Sequence, residues 1–238
     1  MRLSVKKDEG FVEYEVPLEQ ATLLEALGYI KTRLDATLTY ASGCRSSICG
    51  SCAMRANGTE VLACAYLPKD GDRIEPLRNA PVIRDLVVDM DKALSFNAKV
   101  RAWLEPVTGP VALTPEQEKA NEIQSDCILC GSCYSACPVY AVNGEFEGPF
   151  ALTRSWRYVA DARTPNVREK LEAVQTDGIW DCTLCNECVP VCPQGIAPKQ
   201  DIVMLRTRSG MEGFMDPNLA GGFGGSFGGA PDFGGPTF

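Results

Sequence analysis

Apolar residues alternate with polar ones at the start of the chain: Leu3 and Val5, then Val12, Tyr14 and Val16. A period of two predicts a pair of strands, and Asp8-Glu9-Gly10 supplies the turn of a β-hairpin. The period then changes. Thr22 and Glu25 frame a capping box, and Leu23, Leu24, Leu27, Ile30 and Leu34 follow at helical spacing. Further on, Asn57-Gly58 marks a tight hairpin turn leading into residues 61–64, and Asp70-Gly71-Asp72 opens another strand over residues 73–77. Pro106, Gly109 and Pro110 mark residues 101–113 as a connector. Beyond it Thr114 reads as an N-cap, Pro115 as the first helical residue and Gln117 as the closing member of a second capping box. From there to about residue 208 the signals are helical, with no alternating strand of useful length.

Strands and a helix over residues 1–100, followed by a helical stretch over 114–210, predict an α+β chain of two domains. The first reads as a β-grasp of the ferredoxin-like kind, although the pattern alone admits other small α+β folds. Residues 211–238 form a Gly/Phe-rich tail whose composition predicts a disordered end. Its glycines follow no strand and open no helix, so they are not a dinucleotide fingerprint.

The 238 residues carry a net charge of −8, which argues against nucleic acid and against a polybasic membrane patch. No stretch approaches the apolar length of a membrane helix, so the chain is expected to have no transmembrane segment of its own. The N-terminus lacks an apolar core and a cleavage site, so no signal peptide is expected. There are twelve cysteines and no histidine. A disulfide framework suits short secreted chains and is disfavoured here. Without imidazole, Rieske centres, histidine-ligated haem, mixed Cys/His zinc fingers and His-based triads are excluded. Any metal must be held mainly by thiolate.

The cysteines fall into three groups. Cys44, Cys49, Cys52 and Cys64 have the C-x4-C-x2-C spacing, with a later fourth cysteine, of plant-type 2Fe–2S centres. Gly43, Ser46, Ser47, Gly50 and Ser51 are small enough to let backbone N–H groups approach the sulfurs. Zinc is the alternative, but its sites use two C-x2-C knuckles and only one such pair is present. The other two groups, Cys127–Pro138 (CILCGSCYSACP) and Cys182–Pro193 (CTLCNECVPVCP), are copies of one motif, C-x2-C-x2-C-x3-C-P. They predict an all-α bacterial-type ferredoxin domain. In two-cluster proteins the fourth cysteine of each run serves the other cluster. Cys127, Cys130 and Cys133 would then share a 4Fe–4S cluster with Cys192, and Cys182, Cys185 and Cys188 a second one with Cys137. Pro138 and Pro193 are expected to stop each turn. No acid–base pair, nucleophile or phosphate loop accompanies them, so no catalytic residue is assigned.

With these motifs in place, the chain resembles the iron–sulfur subunits of succinate dehydrogenases and fumarate reductases. The resemblance rests on residues 44–58 (CRSSICGSCAMRANG), 81–90 (PVIRDLVVDM), 127–140 (CILCGSCYSACPVY), 145–163 (EFEGPFALTRSWRYVADAR) and 185–198 (CNECVPVCPQGIAP). It implies an N-terminal domain facing a flavoprotein that carries FAD, and a helical domain facing a membrane-anchor or quinone-reducing subunit. The implied function is electron relay in a succinate:quinone oxidoreductase or fumarate reductase. The alternatives are a subunit of a thiol-linked fumarate reductase or other flavoenzyme, and a free ferredoxin-like carrier. The expected place is the cytoplasmic face of the cell membrane, peripheral, within a complex. Two departures stand out. The resembling family usually has an aliphatic or small residue where this chain has Cys185, and so holds a 3Fe–4S cluster there; here a fourth ligand makes 4Fe–4S the expectation and 3Fe–4S the alternative. Its quinone-site tryptophan and histidine correspond to Ala141 or Val142 and to Thr183. Both departures resemble the variant class with a cysteine-rich, heterodisulfide-reductase-like anchor subunit. Trp156 and Arg154 are read as packing and as a solvated charge.

Overall fold

A computed structural model describes residues 1–217. β1 (Arg2–Lys7) and β2 (Gly10–Glu15) pair antiparallel, as the alternation predicts. Leu3, Val5, Tyr14 and Val16 are buried, whereas Val12 lies on the edge strand and stays partly exposed. α1 (Leu23–Tyr29) starts at the expected capping box: Thr22 Oγ1 accepts from the Glu25 N–H, and the Glu25 carboxylate accepts from the Thr22 N–H. Such a cap is worth about 1 kcal/mol. The helix does not run on to Leu34. Residues Ile30–Leu34 form one wider π-turn, closed by the Asp35 N–H on the Ile30 carbonyl, and Leu34 is 48% exposed. The wider turn carries Leu34 off the apolar stripe on which Ile30 is still buried.

β3 (Ala53–Ala56) and β4 (Thr59–Leu62) form the second hairpin, with Asn57 and Gly58 both at positive φ. β5 (Asp72–Glu75) runs parallel to β1 and antiparallel to β3, completing a five-stranded sheet in the order β2-β1-β5-β3-β4. α1 lies against the sheet, with Leu23, Leu24 and Leu27 sharing one core with Leu3, Val5, Met54 and Ile74. A short hairpin, β6 (Val82–Arg84) and β7 (Val87–Val88), leads out of this domain.

α2 (Asp91–Lys99) lies before the expected boundary at residue 100, yet its Ala93 and Phe96 pack in the second core. The chain after α2 is fastened by a wholly buried lysine. Lys170 Nζ donates to the carbonyls of Arg101 and Trp103 and pairs with Glu105 at 2.9 Å. That cation is compensated on three sides, the condition under which a buried charge is tolerated. The helical domain contains α3 (Pro115–Lys119), α4 (Glu122–Ser125), α5 (Ser132–Ser135), α6 (Pro138–Val142), α7 (Pro149–Val159), α8 (Val167–Ala173) and α9 (Pro198–Met211). α3 shows the second capping box as expected. α7 runs through the middle: Phe150, Ala151, Leu152 and Val159 are buried in one core with α8's Leu171 and α9's Ile202 and Leu205. Pro138 opens α6 at its first turn as well as ending the cysteine turn. The Gly/Phe-rich tail lies, from residue 218 onward, outside the described residues.

Candidate iron–sulfur centres

The loop from residue 43 to 52 curls because several of its residues take left-handed backbone: Arg45 at φ +60°, Ser47 at +59° and Gly50 at +72°. Left-handed non-glycine residues are costly and persist where surrounding contacts determine them. The curl turns amides inward. Ser46, Ile48 and Cys49 N–H groups point at Cys44 Sγ at 3.4, 3.3 and 3.2 Å, the Cys44 N–H at Cys49 Sγ at 3.2 Å, and the Ser47 N–H at Cys64 Sγ at 3.3 Å. Gly43 has no room for a side chain, since a Cβ there would lie 2.8 Å from Cys49 Sγ. Ser51 and the Cys44 amide hold the Cys49 thiol down, at about 6. Cys52 is buried under the loop, and burial pushes its thiol up to about 11.

The internal repeat is reproduced in the backbone. Leu129 and Leu184, at matching places in the two motifs, have φ of +54° and +57°; Gly131 and Asn186 have +83° and +77°. The structure brings the cysteines together in crossed sets. One hollow, with about 370 Å³ free of protein atoms, is lined by Cys127, Cys130, Cys133 and Cys192, with Phe150 and Thr153 from α7. A second, of about 310 Å³, is lined by Cys137, Cys182, Cys185 and Cys188, with Phe146 and Ile202. Burial pushes the Cys133 thiol well up, and the neighbouring Cys130, Cys127, Cys188 and Cys192 act in the same direction. Burial likewise lifts Cys188 to about 12. Crowded thiols in an apolar hollow ionise only beside a strong cationic partner, which is what iron supplies.

All twelve cysteines are free, so no disulfide competes for them. Four thiols with inward-pointing amides in the first loop, and four thiols around each of two largely apolar hollows, fit the donor sets of iron–sulfur clusters.

The first loop and the first motif meet. A Cβ on Gly50 would lie 2.7 Å from Cys130 Cβ and 3.0 Å from its Cα, so only glycine permits this approach. Asn79 Nδ2 donates to the carbonyls of Tyr134, Ser135 and Cys137, and Ser135 Oγ donates to Glu60 on β4. These contacts lock one domain onto the other beside the sulfurs.

Two polar residues differ from a surface reading or escaped one. Arg154, expected as a solvated charge, is half-buried; its Nε is buried without a hydrogen-bond partner and its charge favours the Cys127 thiolate. It lies four residues beyond Phe150, on the α7 face that lines the first hollow. Trp156 packs against the second core, as expected. Glu147, given no role by its sequence, is wholly buried. Neither carboxylate oxygen has a hydrogen-bond partner, and Lys99 Nζ stands 3.7 Å away. Burial pushes its carboxyl up to about 8, Lys99 opposing and Asp177 and Asp181 adding to the rise.

In the unfolded chain Glu147 titrates near 4.3. Between about pH 4.5 and 8 the folded chain therefore holds a proton that the unfolded chain has released, and stability falls as pH rises through this window. Glu147→Gln, which keeps the shape and cannot ionise, is expected to stabilise the chain by roughly 2–4 kcal/mol at pH 8 and by no more than about 1 kcal/mol at pH 5. Thermal melts at the two pH values check this; an equal shift at both would contradict it.

Fold and donor sets define an iron–sulfur electron-transfer protein. Residues 2–95 match the family model of the 2Fe–2S iron-sulfur cluster binding domain, and residues 123–196 that of the 4Fe–4S dicluster domain. The chain is 42% identical over 210 residues to the fumarate reductase iron-sulfur subunit of Mycobacterium tuberculosis, covering 83% of this chain and 85% of that one. It is 34% identical over 197 residues to the succinate dehydrogenase iron-sulfur subunit of Paracoccus denitrificans, covering 77% and 74%. The fold is shared with a chain of the Mycobacterium smegmatis Sdh1 complex in the apo form, at a TM-score of 0.78 and 22% identity over 91% of this chain and 98% of that one. The chain belongs to the family of fumarate reductase and succinate dehydrogenase iron–sulfur subunits. No helix among the described residues is long and apolar enough to cross a membrane.

Proposed function

We propose that this chain relays electrons between an FAD-containing flavoprotein subunit and a membrane-associated acceptor subunit of a succinate dehydrogenase or fumarate reductase complex. The observation that carries this reading is the contiguity of three sulfur sets. Gly50, next to Cys49, touches Cys130, and the two crossed hollows share motifs with each other. When bound, a 2Fe–2S centre and two 4Fe–4S clusters supply one-electron carriers in series. The residues holding them are Cys44, Cys49, Cys52 and Cys64; then Cys127, Cys130, Cys133 and Cys192; then Cys182, Cys185, Cys188 and Cys137. The relay is open at both ends. Cys44, Ile48 and Cys49 are exposed at the first, where the flavoprotein docks. Thr183 and Cys185 are exposed at the other, as is Val142, at 89%.

The far end favours handover to a cofactor in another subunit over direct quinone reduction. A quinone site needs polar donors for the carbonyl oxygens and an apolar or aromatic wall. Here the ring of Tyr140 packs in the second core and lines a cleft beside Lys92, and Thr183 offers an exposed hydroxyl beside Cys182. The third subunit is then of the membrane-associated, cysteine-rich type, with this chain peripheral on the cytoplasmic face.

The native complex and a two-subunit preparation, this chain with its flavoprotein, test the reading. The pair is expected to reduce an artificial dye with succinate and to need the third subunit for quinone. It should contain about ten irons per chain. About nine irons with a 3Fe–4S signal in anaerobic protein would remove Cys185 from the ligand set. Quinone reduction by the pair at the rate of the whole complex would place the quinone site on this chain. A chain that elutes without partners would be a free carrier.

A further inference from the structure

Gln194 lies two residues beyond Cys192 and lines the first crossed hollow, but its side chain reaches into the other domain. Its Nε2 donates to the Ser47 carbonyl at 3.1 Å, across 147 residues of sequence. That carbonyl belongs to the same peptide plane as the Ile48 N–H, which points at Cys44 Sγ at 3.3 Å; the N–H on the other side of Ser47 points at Cys64 Sγ at 3.3 Å. A hydrogen bond to a carbonyl polarises its peptide and strengthens the bond made by the N–H of the same unit. Ser47 itself is left-handed, at φ +59°, a conformation disfavoured by about 1–2 kcal/mol. Its orientation therefore depends on what holds it: the Cys64 sulfur on its amide side and, from the other domain, Gln194 on its carbonyl.

We propose that Gln194 is a positioning residue for the 2Fe–2S centre: by fixing the Ser47–Ile48 peptide it keeps two amides on the sulfurs of Cys44 and Cys64 and sets the reduction potential of that centre from the other domain. The proposal rests on the assignment of a 2Fe–2S centre to the Cys44 loop. A reduced centre carries one more negative charge, and N–H donors aimed at its ligand sulfurs stabilise that form. Slackening the peptide disfavours reduction and lowers the potential. The second centre, whose hollow Gln194 also lines, keeps its ligands when only the amide is removed.

The test uses this chain in complex with its flavoprotein, titrated potentiometrically with the 2Fe–2S electron paramagnetic signal as readout. Gln194→Met, neutral and of similar length, is expected to shift the reduction equilibrium roughly fivefold towards the oxidised form, which is about 40 mV at 59 mV per tenfold. Couplings of exchangeable protons at the centre should weaken in parallel. Gln194→Asn keeps the amide but draws it back by one methylene, and should shift the potential in the same direction. Gln200→Met, an equal change at an exposed position of α9, should leave it alone. A 2Fe–2S signal with an unmoved midpoint in Gln194→Met or Gln194→Asn overturns the proposal. Absence of any 2Fe–2S signal from the unsubstituted complex would sink the assignment of the Cys44 loop instead.

Discussion

Cys192→Ala is expected to destroy the 4Fe–4S form of the cluster of Cys127, Cys130 and Cys133 while the 2Fe–2S signal persists, although Cys192 belongs to the other motif. Cys192 lines the hollow of the first motif and Cys137 that of the second. A cubane with three ligands loses the iron that lacks its thiolate, so Cys127, Cys130 and Cys133 would keep at most a 3Fe–4S remnant. Electron flow through the chain should fall steeply, because on the proposed relay the altered centre is the middle one. Low-temperature spectra and iron content check this. Loss of the Cys182 centre alone would mean that each motif holds its own cluster.

Gly50→Ala is the other large effect, and it acts through the contact between domains. The added Cβ would meet Cys130 Cβ at 2.7 Å, Cys130 Cα at 3.0 Å and the Ile128 carbonyl at 3.1 Å. Those atoms are backbone or attached to it, so no side-chain rotation relieves the clash. Gly50 also sits at φ +72°. Together the backbone penalty and the overpacking should cost roughly 2–4 kcal/mol. The Cys44 loop and the first motif must separate, which slows transfer between the first two centres even in molecules that stay folded. Gly71→Ala separates the two contributions: Gly71 has φ +84° with nothing within 4 Å of the added Cβ, so it carries the backbone penalty alone. Equal losses of stability and of dye reduction in the two variants would deny the domain contact its role.

What could be read in the sequence were the features set by neighbours along the chain. Thr22 with Glu25 and Thr114 with Gln117 cap their helices because a capping box closes within four residues. Asn57-Gly58 turns a hairpin because those residue types tolerate positive φ. The cysteine groups were legible for the same reason, since cluster ligation imposes fixed short spacings. Even the grouping of Cys192 with Cys127 was expected, from a motif rule rather than from any local signal.

Tertiary structure decided the rest. Leu34 has the right spacing for α1, yet a π-turn rotates it outward, and spacing does not report the pitch of the turn that carries it. α2 precedes the connector in sequence but buries Phe96 with Tyr140 and Phe150, because an amphipathic face does not name its partner. Arg154, Lys170 and Glu147 look like solvated charges in a string of letters; the helices packed over them set their burial and, for Glu147, the direction in which it titrates. The approach of Gly50 to Cys130 and the reach of Gln194 to Ser47 join residues far apart in the chain. Such contacts depend on how two independently patterned domains dock, and that is fixed by the complementarity of whole surfaces, which periodicity along one chain does not encode.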